Sequence, residues 1–484
     1  MTLHRITRPS DALTPVRAYA ALRGRGEGEA SFLFESVISG ERWGRYSILG
    51  YRPRYEVLYG WDGFEIRGDL PEGKSLGQDT DPLKALSSLL QGEAGRGVHP
   101  AERFAGGHVG FFAWDLVHRI ARVPPGDPGT WKRHFLPLLR VLGGAVIVAF
   151  DNLDQTFTVC ADDEARVARA LADLESDPRL SSIRLPDRAC IPRDVTVDMD
   201  DGTFCERVLA AQEHIRAGDA FQIVLARTFT VPQHGRDAFD VYRAMRLVNP
   251  SPYMYFLDFP PAKGEATRTR IAGASPETLV RLEDGTMTVR PIAGTRPRGK
   301  THEQDVALAE ELLADPKERA EHVMLVDLGR NDVGCVSSLG TVELVRCMDI
   351  ERYSHVMHIV SEVRGQVRPG IPATEVLRAG FPAGTLSGAP KVRAMQIIRE
   401  LEARPRGIYG GAIGYVASTG DLDFAIAIRT AVCREGRFDV TAGAGVVDAS
   451  VPESEAEETR GKARGVLCAI EAVDPVNPSL LPSQ

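Results

Sequence analysis

Cysteine is scarce in this chain of 484 residues. There are seven, an odd number, and no two stand as C-x-x-C. That excludes a disulfide framework, and no Cys/His spacing suits zinc. Cys160, Cys190, Cys205, Cys335, Cys347, Cys433 and Cys468 read as buried or incidental thiols in a reducing cytoplasm. Long apolar runs are missing too. The longest, "GGAVIVAF", falls far short of the ~20 residues a membrane span needs. The opening "MTLHRITRPSDALTP" lacks the apolar core of a secretory signal, so a cytoplasmic location is expected. Basic charge is not in excess. The net charge of −8 leaves no footprint for nucleic acid. G-x-S-x-G is absent, and no Cys/His pair offers a nucleophile. What is present, 43% hydrophobic and 26% charged residues, describes an ordinary globular protein of two or three domains.

The Pro- and charge-rich stretch from Glu175 to Asp201 lacks periodicity and reads as a connection. Before it the chain is strand-rich. "RYEVLYGWDGFEIRG" predicts a hairpin turning at Asp62-Gly63, and "AVIVAFDNLDQTFTVCA" a second one. After it comes a helix, with Thr203 and Glu206 as a capping box and Gly218 at its end. "AFQIVLARTFTV" alternates as a strand. "ETLVRLEDGTMTVRP" and "FAIAIRTAVCREGRFDVT" predict hairpins turning at Asp284-Gly285 and Glu435-Gly436. The fold class is α+β with largely antiparallel sheets.

Gly294 to Thr301 satisfies G-x-x-x-x-G-K-[ST], the phosphate loop of nucleotide hydrolases. Its context is wrong. Such a loop follows a buried parallel strand and opens directly into a helix. Here the preceding strand is an arm of a tight hairpin, Pro297 removes an N–H from the cradle, and Thr301 with Gln304 caps a later helix. "HVMLVD" fails as the magnesium-holding strand of such enzymes. Asp315, Pro316 and Glu318 form a helix start, so that run is helical, with Gly329 available to end it.

Two helices carry E-x-x-E. Glu318 and Glu321 share one face, as do Glu455 and Glu458 with Lys462 one turn on; Ser450 and Glu453 suit a capping box for the second. Each pair alone reads as surface charge, but together they suit Mg²⁺ beside an anionic ligand. Gly443 and Gly445 in "TAGAGVVD" allow close backbone approach. Arg429, alternating with apolar neighbours in "FAIAIRTAV", calls for a carboxylate. His358 and His322 are acid/base candidates, although a lone His in an apolar run is more often core. These features suggest a Mg²⁺-assisted enzyme acting on a small anionic substrate.

In order, "GASPE", "PIAGTRPRG", "EHVMLVDLGRND", "RYSHVMHIV", "GTLSGAPKVRAMQII", "YGGAIGY" and "TAGAGVV…SEAEETRGKA" resemble the chorismate-utilising enzymes across nearly all of the second part. Within that family the resemblance is fullest to the anthranilate synthase branch. It implies a sandwich of two antiparallel sheets with helices outside. Residues 1–190 would contribute to a tryptophan feedback site, and residues 197–473 would form the chorismate-binding catalytic domain. Family members using water carry a Lys where this chain has Gln222, and those using an enzyme amine carry a Lys where it has Ala293. A chain with neither leaves external ammonia to attack C2 of chorismate, since a methyl group is no nucleophile.

The resemblance further implies Mg²⁺ on Glu321 and Glu458, supported by Glu318 and Glu455. Chorismate would lie against Gly294, Thr295, Tyr409, Arg429, Thr441, Gly443, Ala444 and Gly445. Glu277 would protonate the departing C4 hydroxyl. His358, with Thr385, would assist loss of pyruvate, and Lys462 would add positive charge. Ser36 of "LFES" with Pro252, Tyr253 and Met254 of "NPSPYMY" would form the pocket for inhibitory L-tryptophan. Phe34 departs from the family's usual Leu, and Arg45 is the nearest basic residue to the one expected about ten positions after Ser36. The implied activity is a lyase converting chorismate and ammonia to anthranilate and pyruvate, the first step of tryptophan biosynthesis. A separate glutamine amidotransferase subunit would supply the ammonia, in a heterotetramer of two large and two small subunits. The alternatives are an aminodeoxychorismate synthase component and a non-catalytic tryptophan-binding subunit.

Overall fold

In the computed structural model, residues 3–25, 29–36, 45–92, 107–126, 136–176, 178, 180–187, 189–353, 356–402 and 404–475 are described. Ser354 and His355 of "RYSHVMHIV" lie outside them. Two antiparallel sheets organise the described chain, with helices against them, so the α+β expectation holds.

All four hairpins form. The first turns at Trp61–Asp62 rather than Asp62-Gly63, because Gly63 is already paired with Gly60. Asp284 and Gly285 both take positive φ, as do Glu435 and Gly436, which a two-residue hairpin turn requires. Strands from both sides of the Pro-rich connection share both sheets. Ser31–Glu35 pairs with Tyr253–Phe259, setting Glu35 opposite Met254. His108–Phe112 pairs with Ala412–Val416, setting Val109 opposite Tyr415. One core cluster correspondingly mixes Tyr55, Leu86, Phe112 and Trp114 with Ile223, Phe424 and Ile426.

The chain crosses between the sheets at several corners, and two of them adjoin each other. It leaves the first sheet at Ser275 and joins the second at Thr278. It leaves the second at Ile426 and rejoins the first at Thr430. Backbone hydrogen bonds lace the corners to their neighbours, Ile426 N to Glu277 O (3.1 Å) and Ala274 N to Arg429 O (3.2 Å). This corrects one expectation. Arg429 does not alternate within a continuous strand but sits on the second corner, with φ 51°.

Three helix ends also differ from expectation. The helix Asp201–Arg216 is capped by Asp200, which accepts from Thr203 N, because the turn begins before Thr203. The helix Pro316–Gly334 runs through Gly329, which is buried where a Cβ would stand 3.1 Å from Val289 and 3.3 Å from Pro291. The helix Pro452–Glu471 has no side-chain cap; Ser450 Oγ instead accepts from Val447 N at 3.0 Å. The remaining starts form as read. Thr301 Oγ1 accepts from Gln304 N, and Asp315 from Lys317 N and Glu318 N. The phosphate-loop motif is therefore a strand, Ile292–Pro297, antiparallel to Val356–Gln366, then a turn into a separate helix.

Candidate active site

Glu277 occupies the first corner, buried at 9% exposure. Burial pushes its carboxyl up to about 7, against the lowering effects of Thr385, Lys462 and Arg429. Thr385 Oγ1 donates to its Oε1 at 2.9 Å, so the structure gives Thr385 to Glu277 as its hydrogen-bond partner. Arg429 on the other corner is half-buried, and burial lowers its pKa, with Tyr409, Glu458 and Glu277 acting the other way. Its guanidinium makes no hydrogen bond or ion pair with any described residue. A desolvated guanidinium without a carboxylate is costly, and an anionic ligand would relieve that cost.

Beside these corners, the adjacent strands Gln222–Pro232 and Arg437–Val446 form a floor, with Gly443 opposite Ala226 and Gly445 opposite Val224. A Cβ on Gly443 would stand 2.7 Å from both Leu225 O and Tyr409 Oη. One on Gly445 would stand 2.9 Å from Gln222 Nε2. Glycine is required by the space above the strand, not by φ. Thr441 and Ala444 lie on the same strand; Thr441 bonds Thr228 at 2.6 Å, and Ala444 is buried.

The acidic helices meet this floor. Gln222 Nε2 donates to Glu321 Oε1 at 3.0 Å. Burial raises the Glu321 carboxyl, and the nearby charges of Glu318 and Glu458 raise it further. Glu318 lies 3.5 Å from Arg296. Glu455 is buried, and burial raises its carboxyl also. Lys462 Nζ bridges Glu458 Oε1 (2.6 Å) and Gly443 O (2.9 Å). Among the described residues no three His, Cys, Asp or Glu side chains close a metal cage. Glu321 and Glu458 lie near enough for their charges to interact.

Gly294, at φ 66°, makes the bulge opposite His358. His358 Nδ1 lies 3.1 Å from Gly294 O and 3.0 Å from Thr295 Oγ1, and burial lowers its pKa. His322 is fully buried against Ser361 at 2.6 Å, a core residue.

Residues 61–467 match the chorismate binding enzyme family. The chain belongs to that family. This chorismate-binding family member is 41% identical over 477 residues to anthranilate synthase component 1 of Acetivibrio thermocellus, covering 96% of this chain and 94% of that one. It is 43% identical over 478 residues to the component 1 of Acinetobacter calcoaceticus, with 96% and 94% covered. Anthranilate synthase component I from Streptococcus pneumoniae superposes with a TM-score of 0.74 at 34% identity, covering 96% of this chain and all of that one. The menaquinone-specific isochorismate synthase of Escherichia coli shares the fold, with a TM-score of 0.70 at 19% identity over 97% of this chain and 95% of that one.

Sequence reasoning missed the support of this family member's site. Arg406 is buried and donates to Leu386 O (2.8 Å), Val224 O (2.6 Å) and the Glu402 carboxylate. Asp115 accepts from Gly407 N at 2.8 Å, and burial raises its carboxyl to about 7. Together they tie the Thr385 turn, the Gln222 strand and the Tyr409 loop into one frame. Partners this far apart in sequence leave no local signal.

The expected feedback residues come together by strand register. Ser36 follows the strand that pairs with Tyr253–Phe259, and its Oγ is buried with no partner among the described residues. Tyr253 Oη donates to Asp423 (2.8 Å) and lies 3.0 Å from Thr278 Oγ1. Met254 is core, and Pro252 is half-buried. Arg45 is committed elsewhere, forking onto Asp151 at 2.8–3.1 Å. No described helix is long and apolar enough to cross a membrane.

Proposed function

We propose that the chain is the chorismate-converting component of an anthranilate synthase, condensing chorismate with ammonia and releasing pyruvate as the ring aromatises. The observation that carries this is chemical. A buried acid, Glu277, and the Arg429 guanidinium, unpartnered among the described residues, flank a glycine floor, and the two positions that supply a base or amine elsewhere in the family hold Gln222 and Ala293. The nucleophile therefore comes from outside. Relatives named component 1, matched end to end, support the same reading.

Arg429 and the N–H groups of the glycine strand hold the substrate carboxylates over Gly443 and Gly445. Glu277, with Oε1 engaged by Thr385, carries its proton on Oε2 and donates it to the C4 hydroxyl, which leaves as water while ammonia bonds to C2. Tyr409 walls the ring. His358, kept neutral by burial and braced by Thr295, faces the second step, in which a ring proton is removed and pyruvate departs. Lys462 holds Glu458 and the Gly443 carbonyl in register.

Glu321 and Glu458, with Glu318 and Glu455 behind them, fit Mg²⁺, which keeps waters and takes one or two carboxylates with an anionic ligand. The Glu321 carboxyl, raised by burial and then by the nearby charges of Glu318 and Glu458, favours that fit. When bound, Mg²⁺ supplies positive charge to a substrate carboxylate. A glutaminase partner, feedback by L-tryptophan at Ser36, Pro252, Tyr253 and Met254, a cytoplasmic setting and a place at the head of tryptophan synthesis complete the reading. The test is nitrogen source. The chain alone should turn over chorismate with ammonium but not glutamine, and glutamine should serve only once a glutaminase subunit is added. Glutamine use by the chain alone would refute it.

A further inference from the structure

Glu277 and Thr385 line a second space. It is a chamber of about 40 Å³, half open, whose other walls include Arg290, Asp332, Leu328 and Gly329. Arg429, Lys462, Gly443 and Gly445 are not among its walls, so the chamber is separate from the glycine floor, while Glu277 lines it and also feels the charges of Lys462 and Arg429. At ~10–15 Å³ per water it holds about three waters. It offers the two to four polar partners such water needs: the Glu277 carboxyl, the Thr385 hydroxyl, the Arg290 guanidinium and the Asp332 carboxylate. Arg290 is held by Glu351 and lies 3.6 Å from Glu362. Asp332 is fixed by Lys391 Nζ, 2.9 Å from both oxygens. These charges are already balanced in pairs, so the chamber suits water rather than an ion.

We propose that this chamber is the proton return path of the acid: after Glu277 has given its proton to the leaving hydroxyl, its carboxylate is reprotonated by water from behind, independently of the substrate side. The step balances. The carboxylate takes a proton from hydronium delivered along the chamber water, and solvent buffer restores that proton. The inference rests on the proposed role of Glu277 as acid. It makes Thr385 a positioning residue for the water chain as well as for the carboxyl.

Filling the chamber tests it. Leu328→Phe intrudes from the helix, and Val289→Ile from the opposite strand, so one poorly folded variant does not end the test. Neither residue stands in the chemistry. The expected result is a first turnover at the wild-type rate followed by a steady state slowed about tenfold, a burst of one product per site, with the slow phase accelerated by small acidic buffers. Equal slowing of the first and later turnovers, or no slowing in either variant, would overturn the return path. Absence of anthranilate from the unaltered chain would instead refute the proposed reaction.

Discussion

In the proposed reaction the acid is a single group, Glu277. Its carboxyl is raised from 4.5 to about 7 chiefly by burial. An acid must be protonated to act, so turnover should fall as pH rises through about 7. Glu277→Gln should lose about 10²–10⁴-fold in kcat and also lose that limb of the profile. Stability moves with the same proton. The folded state keeps it where the unfolded chain has released it, so this group's contribution to stability declines as pH climbs from 4.5 to about 7. Above that range Glu277→Gln should be more stable than the unaltered chain, by about 3 kcal/mol in urea titrations at pH 8. An inactive variant with unchanged stability would mean that burial does not set this carboxyl's protonation.

At the scale of elements, the site is a floor of two strands, two corners and two helix faces. Gly443→Ala tests the floor. A methyl would meet a backbone carbonyl and the Tyr409 hydroxyl at 2.7 Å, so strand or loop must move. Chorismate KM should rise by at least about tenfold while the hairpin fold survives, measured by kinetics beside circular dichroism. Unchanged KM would remove Gly443 from the floor.

Hairpins, most strand alternations and the Asp315 cap are written in local residues, and they were legible. The two acidic faces were also legible, because i, i+3 spacing fixes a helix face. The corners were not. In "FAIAIRTAV" the alternation continues across Arg429, yet the chain changes sheets there, since Ile426 and Thr430 answer to different partner strands. The helix is capped by Asp200 rather than Thr203 because both suit an N-cap, and only tertiary packing decides where the first turn begins. Arg406, Asp115 and the Gln222–Glu321 bond depend on register between distant strands, which no window of sequence holds.

At the scale of the whole molecule, neither part of the chain owns a sheet. The strand Ser31–Glu35 closes against Tyr253–Phe259, and His108–Phe112 against Ala412–Val416. Splitting the chain near residue 190 would expose both seams. Fragments 1–190 and 197–473 should each be unfolded or aggregated alone and regain structure only when mixed, read by circular dichroism and sedimentation. An independently folded, cooperative second fragment would contradict this. The same seam carries the proposed feedback, since Tyr253 reaches Thr278, the residue after Glu277, so a ligand at Ser36 has a short route to the acid.

The central claim is that this scaffold makes anthranilate from an external nitrogen. Its most direct test incubates the chain with chorismate, Mg²⁺ and an ammonium salt, following anthranilate fluorescence and pyruvate together. Equal amounts of both products, abolished by Glu458→Gln, are predicted. Chorismate left intact, or converted to a product that is not aromatised, would contradict it.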